Sequence, residues 1–446
     1  MRKAMTKETK PSLVGGSSKQ GGEVRERFSW AEPAVWTDRM LAALVKGVKG
    51  NKWFSLIDKV YRRSNLEAAF RKTKSNRGGA GVDRVTVEQF EERLEVNLNR
   101  LEKGLKEETY KPQPLRRKEI SKPGMKDKRT LMIPTIRDRI VQGAIKNAIE
   151  PIFEIIFSNR SYGFRPGRGC KHALGVVNSF LQAGYTWVVD ADIKSYFDMI
   201  PHERLMECLR EKIADGRVLT LIESYLKQGI LSGLSSWESE RGTPQGAVIS
   251  PLLANIYLNP LDHKMAEMGF EMVRYADDFV ILCRSREEAQ RALAQITAWL
   301  KVAGLTLHPE KTQIADATQR GGFDFLGYHF ERGYKWPSKK SLKKYKASIR
   351  SKTKRCNGHS MEQIVESINR TSRGWFEYFK HSHYTTFPTM DAWIRMRLRS
   401  ILRKRYHKRG RGRGADHQRW PNVYFRNLGL FSQVAAHSLA CQSSRR

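Results

Sequence analysis

The chain has 446 residues, 40% of them hydrophobic, and carries 81 Lys and Arg against 46 Asp and Glu, a net charge of +35. That length supports a large core and more than one domain, and an excess of positive charge on this scale makes a polyanion, nucleic acid, the expected partner. The pattern excludes a membrane protein, since no apolar run could span a bilayer and no signal-peptide core is present; the scattered Cys170, Cys208, Cys283, Cys356 and Cys441 form no C-x-x-C pair, which argues against zinc and disulfide frameworks and suits a reducing cytoplasm.

Residues 1–50 read as a polar, flexible segment, rich at its start in Gly, Ser and Lys. Residues 51–105 are patterned as helices, with Phe90, Leu94, Leu98 and Leu101 on one face. The glycine-rich stretch Asn76–Gly81 interrupts them. It lacks the Gly-Lys-Ser/Thr of a P-loop, so a connector is favoured over a phosphate grip.

Residues 106–330 alternate strand and helix signals. Leu115–Ile120 and Arg129–Ile133 predict a hairpin whose turn begins at Lys122-Pro123-Gly124. Its Arg116, Arg117, Lys122, Lys128 and Arg129 could form a solvated face or a phosphate clamp. A helix follows from Ile136 to about Phe157. Trp187–Ile193 reads as a strand that places Asp190 and Asp192 on one face. A buried strand rarely carries two acids on one side without a cation nearby. The polar turn Arg241–Gly246 opens onto an apolar helix, Pro251–Leu258. Phe270–Tyr275 and Phe279–Cys283 then predict a tight hairpin with Asp277 and Asp278 at its tip. A helix over Arg286–Val302 leads to the loop Gly304–Thr312 and a strand pair around Phe323–Tyr328.

From Lys335 to Arg355 runs a basic helix. The spacing of Ile364, Ile368, Trp375, Phe376 and Phe379, and of Trp393, Leu398, Ile401 and Leu402, predicts a small all-α domain over residues 335–402. Residues 403–446 form a basic C-terminal segment in which Pro421–Leu439 regains an apolar pattern.

Asp192 on one strand and Asp277 and Asp278 on a hairpin would suffice to hold two Mg²⁺ ions, hard cations that seek oxygen. Two-metal chemistry uses one ion to activate a primer 3′-hydroxyl and the other to neutralise a triphosphate.

In this order, Tyr275-Ala276-Asp277-Asp278, the upstream Asp192-Ile193-Lys194 with Phe197-Asp198, the Pro244-Gln245-Gly246 turn and Leu326-Gly327-Tyr328 resemble a reverse transcriptase. Ile133–Arg139, Tyr162–Gly167, Gly242–Gly246 and Ser250–Asn255 are similar to the wording of group II intron-encoded reverse transcriptase-maturases. The likeness runs from about Phe54 to Leu402. It implies an α+β right-hand polymerase, with fingers and palm of antiparallel sheet plus helices, followed by an all-α thumb or maturase X domain. It implies Asp192, Asp277 and Asp278 as catalytic metal ligands, with the Ile193 carbonyl as a further ligand. Phe197 resembles the side chain that crowds the sugar 2′ position, with core packing as the alternative. Arg116, Lys122 and Arg129 resemble triphosphate-gripping residues, Gln245 and Gly246 the turn that meets nucleotide and template. Lys311 resembles a lysine that protonates pyrophosphate. Trp375 and Phe376 read as core rather than base-stacking residues.

The implied function is an RNA-directed DNA polymerase in the cytoplasm that binds a group II intron RNA, assists its splicing and copies it into cDNA during retrohoming. Its partners would be that RNA, a DNA target, RNA/DNA duplex and dNTPs. No His-Asn-His endonuclease pattern follows Arg413, so second-strand cleavage is not expected. Two other readings stay open: an RNA-binding splicing cofactor with a vestigial polymerase, and a domesticated or defence reverse transcriptase.

Overall fold

The computed structural model describes residues 24–121, 128–232, 235–237, 241–356, 358–408, 410, 412 and 414–443. At its centre is an antiparallel sheet of order β6-β7-β3-β8, formed by β3 (Trp187–Asp192), β6 (Glu271–Tyr275), β7 (Asp278–Cys283) and β8 (Gln313–Asp316). Both faces of this sheet are covered, and side-chain alternation sends neighbouring residues into different cores. Val189, Ala191, Phe279, Ile281 and Cys283 enter a large core shared with the helices Ile136–Glu154 and Ser250–Glu267. Val188, Val273, Val280 and Leu282 enter a second core on the opposite face. This explains why β7 is apolar from Phe279 to Cys283 rather than alternating. Asp190 and Asp192 lie on the Val188 face, as expected.

The second core joins the sheet to its neighbours. β9 (Phe323–Phe325), β10 (Tyr328–Glu331) and β11 (Tyr334–Pro337) form an antiparallel sheet of order β11-β10-β9. Phe323, Phe325, Tyr328 and Phe330 pack there with Phe379 from the helix Met361–Phe379. A third core holds the helical domain together, with Tyr345 and Ile349 from Lys339–Lys352, Ile364 and Ile368 from Met361–Phe379, and Ile394, Leu398 and Ile401 from Thr386–Arg405. Trp420 and Phe425 belong to that core as well. The helical domain therefore extends beyond the expected boundary at 402, because these two large rings complete its apolar packing.

The predicted basic hairpin is present as β1 (Leu115–Ser121) and β2 (Lys128–Ile133), paired antiparallel. Its sheet continues through β4 (Ile230–Ser232) and β5 (Ser235–Trp237), and the β1–β4 pairing is parallel. This sheet is thus mixed rather than antiparallel throughout. Residues 28–44 also depart from expectation. Phe28, Val35, Trp36, Leu41 and Leu44 are buried in the large core, and the Trp36 indole N–H donates to the Asn147 carbonyl at 2.9 Å. The apolar residues of 28–44 thus anchor the chain rather than leaving it loose.

Candidate functional site

A cleft of about 900 Å³ opens at the end of the central sheet, lined by Asp192, Ile193, Phe197, Gln245, Asp277, Asp278 and Lys311 among others. β3 and β7 place Asp192 directly opposite Asp278. β6 and β7 place Tyr275 opposite Asp278, so Ala276 and Asp277 make the turn. Ala276 takes a left-handed φ of 59°, a strained conformation for a residue with a Cβ.

A buried arginine holds that turn. Arg274 donates from Nη1 to the Ala276 carbonyl at 2.9 Å and to Asn255 Oδ1 at 3.0 Å, and from Nε to Asp262 Oδ1 at 2.7 Å. Both partners of the Arg274–Asp262 ion pair are almost wholly enclosed. Burial opposes the charge on Arg274, but Asp262 outweighs it and raises the guanidinium above its ordinary pKa. Asn255 in turn donates to the Gly163 carbonyl at 2.8 Å. A Cβ on Gly163 would sit 2.3 Å from the Ala276 nitrogen, so only glycine lets that loop back the turn. The motifs around Tyr162–Gly167 and Ser250–Asn255 thus share one physical role as a brace behind the two carboxylates. Sequence reasoning gave no role to Arg274 or Asp262. The available signal was a charged residue within the apolar strand run, directly after Val273, which requires a partner if buried.

The acids crowd one another. Burial, then the charges of Asp190, Asp277 and Asp192, push Asp278 up to about 7. Burial raises Asp190 to about 6, with help from Asp324 and Asp192 and against the hydrogen bond from Gln313. Like charges at this density call for a cation. Lys311 partly answers, its Nζ lying 2.6 Å from Asp192 Oδ2. Among the described residues no three His, Cys, Asp or Glu side chains gather closely enough to hold a metal ion by themselves. An open set of carboxylates suits Mg²⁺, which retains waters and binds one or two carboxylates together with substrate phosphates. It does not suit a structural zinc site.

The turn residues Gly242–Gln245 also line the cleft. The Thr243 N–H donates to the Phe197 carbonyl at 2.6 Å, and the Met132 N–H donates to the Gln245 carbonyl at 2.8 Å. Gly242 and Gly246 have φ of 93° and 115°. A Cβ on Gly242 would crowd Asp198, and one on Gly246 would crowd Met132. Phe197 lines the cleft while its ring stands edge-on to buried Tyr196. Gly246 packs on β2 and is not part of the lining.

Of the cations expected to grip a triphosphate, only Arg116 has a described side chain. Thr130 and Met132 line the cleft. Their cross-strand partners are Glu119 and Arg117, so Arg117 shares their side of the ladder. Arg116 pairs with Ile133 on the other side, near Gly79 and Arg139, and is not brought to the cleft. Lys122 and the Arg129 side chain lie outside the described residues. Arg165, in the Tyr162–Gly167 segment, is also turned inward, where it holds Glu154 and the carbonyls of Ser158 and Ser161.

A second charged region lies on the helical domain. Lys346, Arg350 and Arg397 surround the Trp393 ring within 6 Å of its centroid. Burial, then the charges of Arg350 and Arg355, lower the Arg397 pKa. Thr353 fixes Arg397, accepting from Nε through its hydroxyl at 2.6 Å and from Nη2 through its carbonyl at 2.8 Å. A half-open tryptophan with cations on its face is the composition of a nucleic-acid surface.

The braced turn, which places Asp277 at its tip and, unlike the expected Asp277-Asp278 tip, Asp278 at the start of β7 facing Asp192, defines together with the helical domain a template-directed polymerase of the reverse-transcriptase class. Residues 120–330 match the reverse transcriptase (RNA-dependent DNA polymerase) family. Residues 342–420 match the group II intron maturase-specific domain. Protein YkfC of Escherichia coli (strain K12) is 36% identical over 309 residues, covering 60% of this chain and 80% of that protein. The group II intron-encoded protein LtrA of Lactococcus lactis subsp. cremoris is 38% identical over 208 residues, 46% of this chain and 34% of that one. Nuclear intron maturase 1, mitochondrial, of Arabidopsis thaliana is 26% identical over 311 residues, covering 58% and 42%. The chain therefore spans less than half the length of the last two relatives. The chain belongs to the group II intron reverse transcriptase-maturase family. It joins the domain of an RNA-directed DNA polymerase to a maturase domain. Among the described residues no helix is long and apolar enough to cross a membrane.

Proposed function

We propose that this protein copies a group II intron RNA into cDNA and assists the splicing of that RNA, acting in the cytoplasm on intron RNA, a DNA target and dNTPs. The observation that carries the reading is the pairing of Asp192 with Asp278 beside the Asp277 turn, in a cleft that also holds Phe197, Gln245 and Lys311. Asp192, Asp277 and Asp278 would hold two Mg²⁺ ions, with the Ile193 carbonyl as a further ligand. When bound, the ions supply activation of a primer 3′-hydroxyl and neutralisation of the triphosphate.

The chain's own groups do the rest. The Arg274 fork fixes the backbone from which Asp277 and Asp278 project. Phe197 closes the floor where a ribose 2′-hydroxyl would sit, and Gln245 meets the incoming nucleotide. Lys311 leaves Asp192 and donates a proton to the departing pyrophosphate, as a general acid within reach of the cleft. Among the described side chains of the hairpin, Arg117 lies on the side of Met132 and would meet the triphosphate from there. The Trp393 face receives the intron RNA.

The test is nucleotide choice in primer extension on an RNA template. Replacing Phe197→Ala should admit ribonucleotides that the unaltered protein refuses, while dNTP incorporation continues. Unchanged discrimination would remove Phe197 from the site.

A further inference from the structure

One aromatic ring is held in the cleft by the backbone on either side of it. Among the described residues two phenylalanines are exposed, Phe54 at 66% and Phe164 at 49%, and Phe164 lines the catalytic cleft. Among the described residues its ring joins none of the three apolar cores. Its backbone takes a left-handed φ of 59°, which a residue with a Cβ keeps only when its surroundings hold it there. Both neighbours supply that hold. The Gly163 carbonyl accepts from Asn255 Nδ2 at 2.8 Å. Buried Arg165 donates from Nε to Glu154 Oε2 at 3.0 Å and from Nη1 to the Ser161 carbonyl at 2.7 Å. The segment also has a fixed place beside the central sheet. Ser161 bridges to Arg274 in parallel, and the Tyr162 N–H donates to the Arg274 carbonyl at 2.9 Å. Residues 160–162 therefore extend the sheet beyond its β6 edge, on the side away from β3. The parallel direction brings Phe164 out at the end of the sheet that carries the acids.

Phe164 and Lys311 thus flank the acids from opposite sides. The turn from Tyr275 to Asp277 lies next to the Phe164 segment, then comes Asp278, then Asp192, whose Oδ2 meets Lys311 Nζ at 2.6 Å. In an in-line displacement the attacking oxygen approaches opposite the leaving group. With Lys311 at the departing pyrophosphate, the primer 3′-hydroxyl lies toward the Phe164 flank. A phenyl ring offers nothing to a phosphate but packs well on the face of a base. We propose that Phe164 binds the primer: its ring packs against the base of the 3′-terminal nucleotide, and its anchored backbone sets the ring in place before nucleic acid arrives. This deepens the polymerase reading and rests on it, with Lys311 on the pyrophosphate side.

The experiment uses the full-length chain and a DNA primer annealed to an RNA template, with 5-iodo-2′-deoxyuridine as the 3′-terminal primer nucleotide. Irradiation joins that base to an adjacent aromatic ring, and mass spectrometry should find the crosslink on the peptide that contains Phe164. Phe164→Ala, Phe164→Gly and Phe164→Tyr are then compared with Phe54→Ala, which removes an exposed ring outside the cleft. Primer–template affinity, affinity for the template RNA alone, melting temperature and extension are measured for each. Phe164→Ala and Phe164→Gly should weaken primer–template binding by roughly 5- to 100-fold, the worth of stacking one base on an aromatic ring, with affinity for the template alone unchanged. Phe164→Tyr keeps the ring and should stay within about twofold of the unaltered chain, as should Phe54→Ala. The melting temperature of Phe164→Gly should not fall, since glycine takes a left-handed φ without strain. A crosslink confined to other peptides overturns the proposal, as does unchanged primer–template affinity in Phe164→Ala or an equal loss for the template alone. A lowered melting temperature in Phe164→Gly with primer–template affinity retained would make Phe164 a residue of the fold and overturns it too. Absence of extension by the unaltered chain would instead overturn the polymerase reading, and the crosslink does not depend on extension.

Discussion

The catalytic cleft and the Trp393 face crowd charges of opposite sign, and they do so on different scaffolds. Asp192, Asp277 and Asp278 line the cleft, and burial first, then the charges of neighbouring acids, push Asp278 and the nearby Asp190 out of the ordinary carboxylate range. On the helical domain, Arg350 and Arg355 act against Arg397 beside Trp393. Each cluster works against folding, so each points to a partner of opposite charge. The cleft sets its acids on paired strands and a braced turn, which suits a small ion of fixed geometry. The helical domain sets its cations on long side chains, which suits a polyanion whose phosphates can be met in many ways. Changes in the cleft should therefore cost rate and spare RNA affinity, and changes on the Trp393 face should do the reverse.

The largest effect falls on the brace. Arg274→Met leaves Asp262 buried and unpaired, and should destabilise the protein by about 3–5 kcal/mol. Chemical denaturation measures this, and adding Asp262→Leu should restore much of the loss. If the single variant were as stable as the unaltered chain, the buried pair would not be what holds the turn. Next is Lys311→Ala, which removes the proposed proton donor. Single-turnover extension should slow by about 10²-fold with RNA affinity unchanged. A rate within twofold of the unaltered chain would leave Lys311 as only a counter-charge for Asp192. The smallest effect lies on the other region. Lys346→Ala with Arg350→Ala should weaken RNA binding by roughly 10-fold and lower the slope of log affinity against log salt by about 2. The extension rate at saturating RNA should hold. A fall in that rate would blur the division between the two regions.

Much of this was legible in the sequence because two residues apart on a strand is a strong signal. Asp192 and the Asp277-Asp278 pair sit in β-prone runs long enough to identify, and the hairpin turn has to fall between Tyr275 and Phe279. The helical core was legible through its periodicity. What was hidden depended on register or on distant partners. Which side of the β1–β2 ladder holds Arg116 follows from the pairing of Arg116 with Ile133, which composition does not reveal. Arg274 finds its acid 12 residues earlier on another element. β4, β5, β8 and β11 have only three or four residues each, too short for alternation to register. Phe28, Trp36 and Leu41 lie in a stretch that is itself apolar, and they are hidden when the polar residues before it are read with it as one segment.

The central claim is that Asp277 and Asp278 perform nucleotidyl transfer while a separate basic surface binds RNA. The direct measurement is primer extension on an RNA template with dNTPs and Mg²⁺, with RNA affinity determined in the same preparations, for the unaltered chain and for Asp277→Ala with Asp278→Ala. The account predicts that extension falls by about 10³-fold or more in the double variant while RNA affinity stays within a few-fold. Extension that persists in the double variant, or RNA binding that is lost with it, would contradict the account.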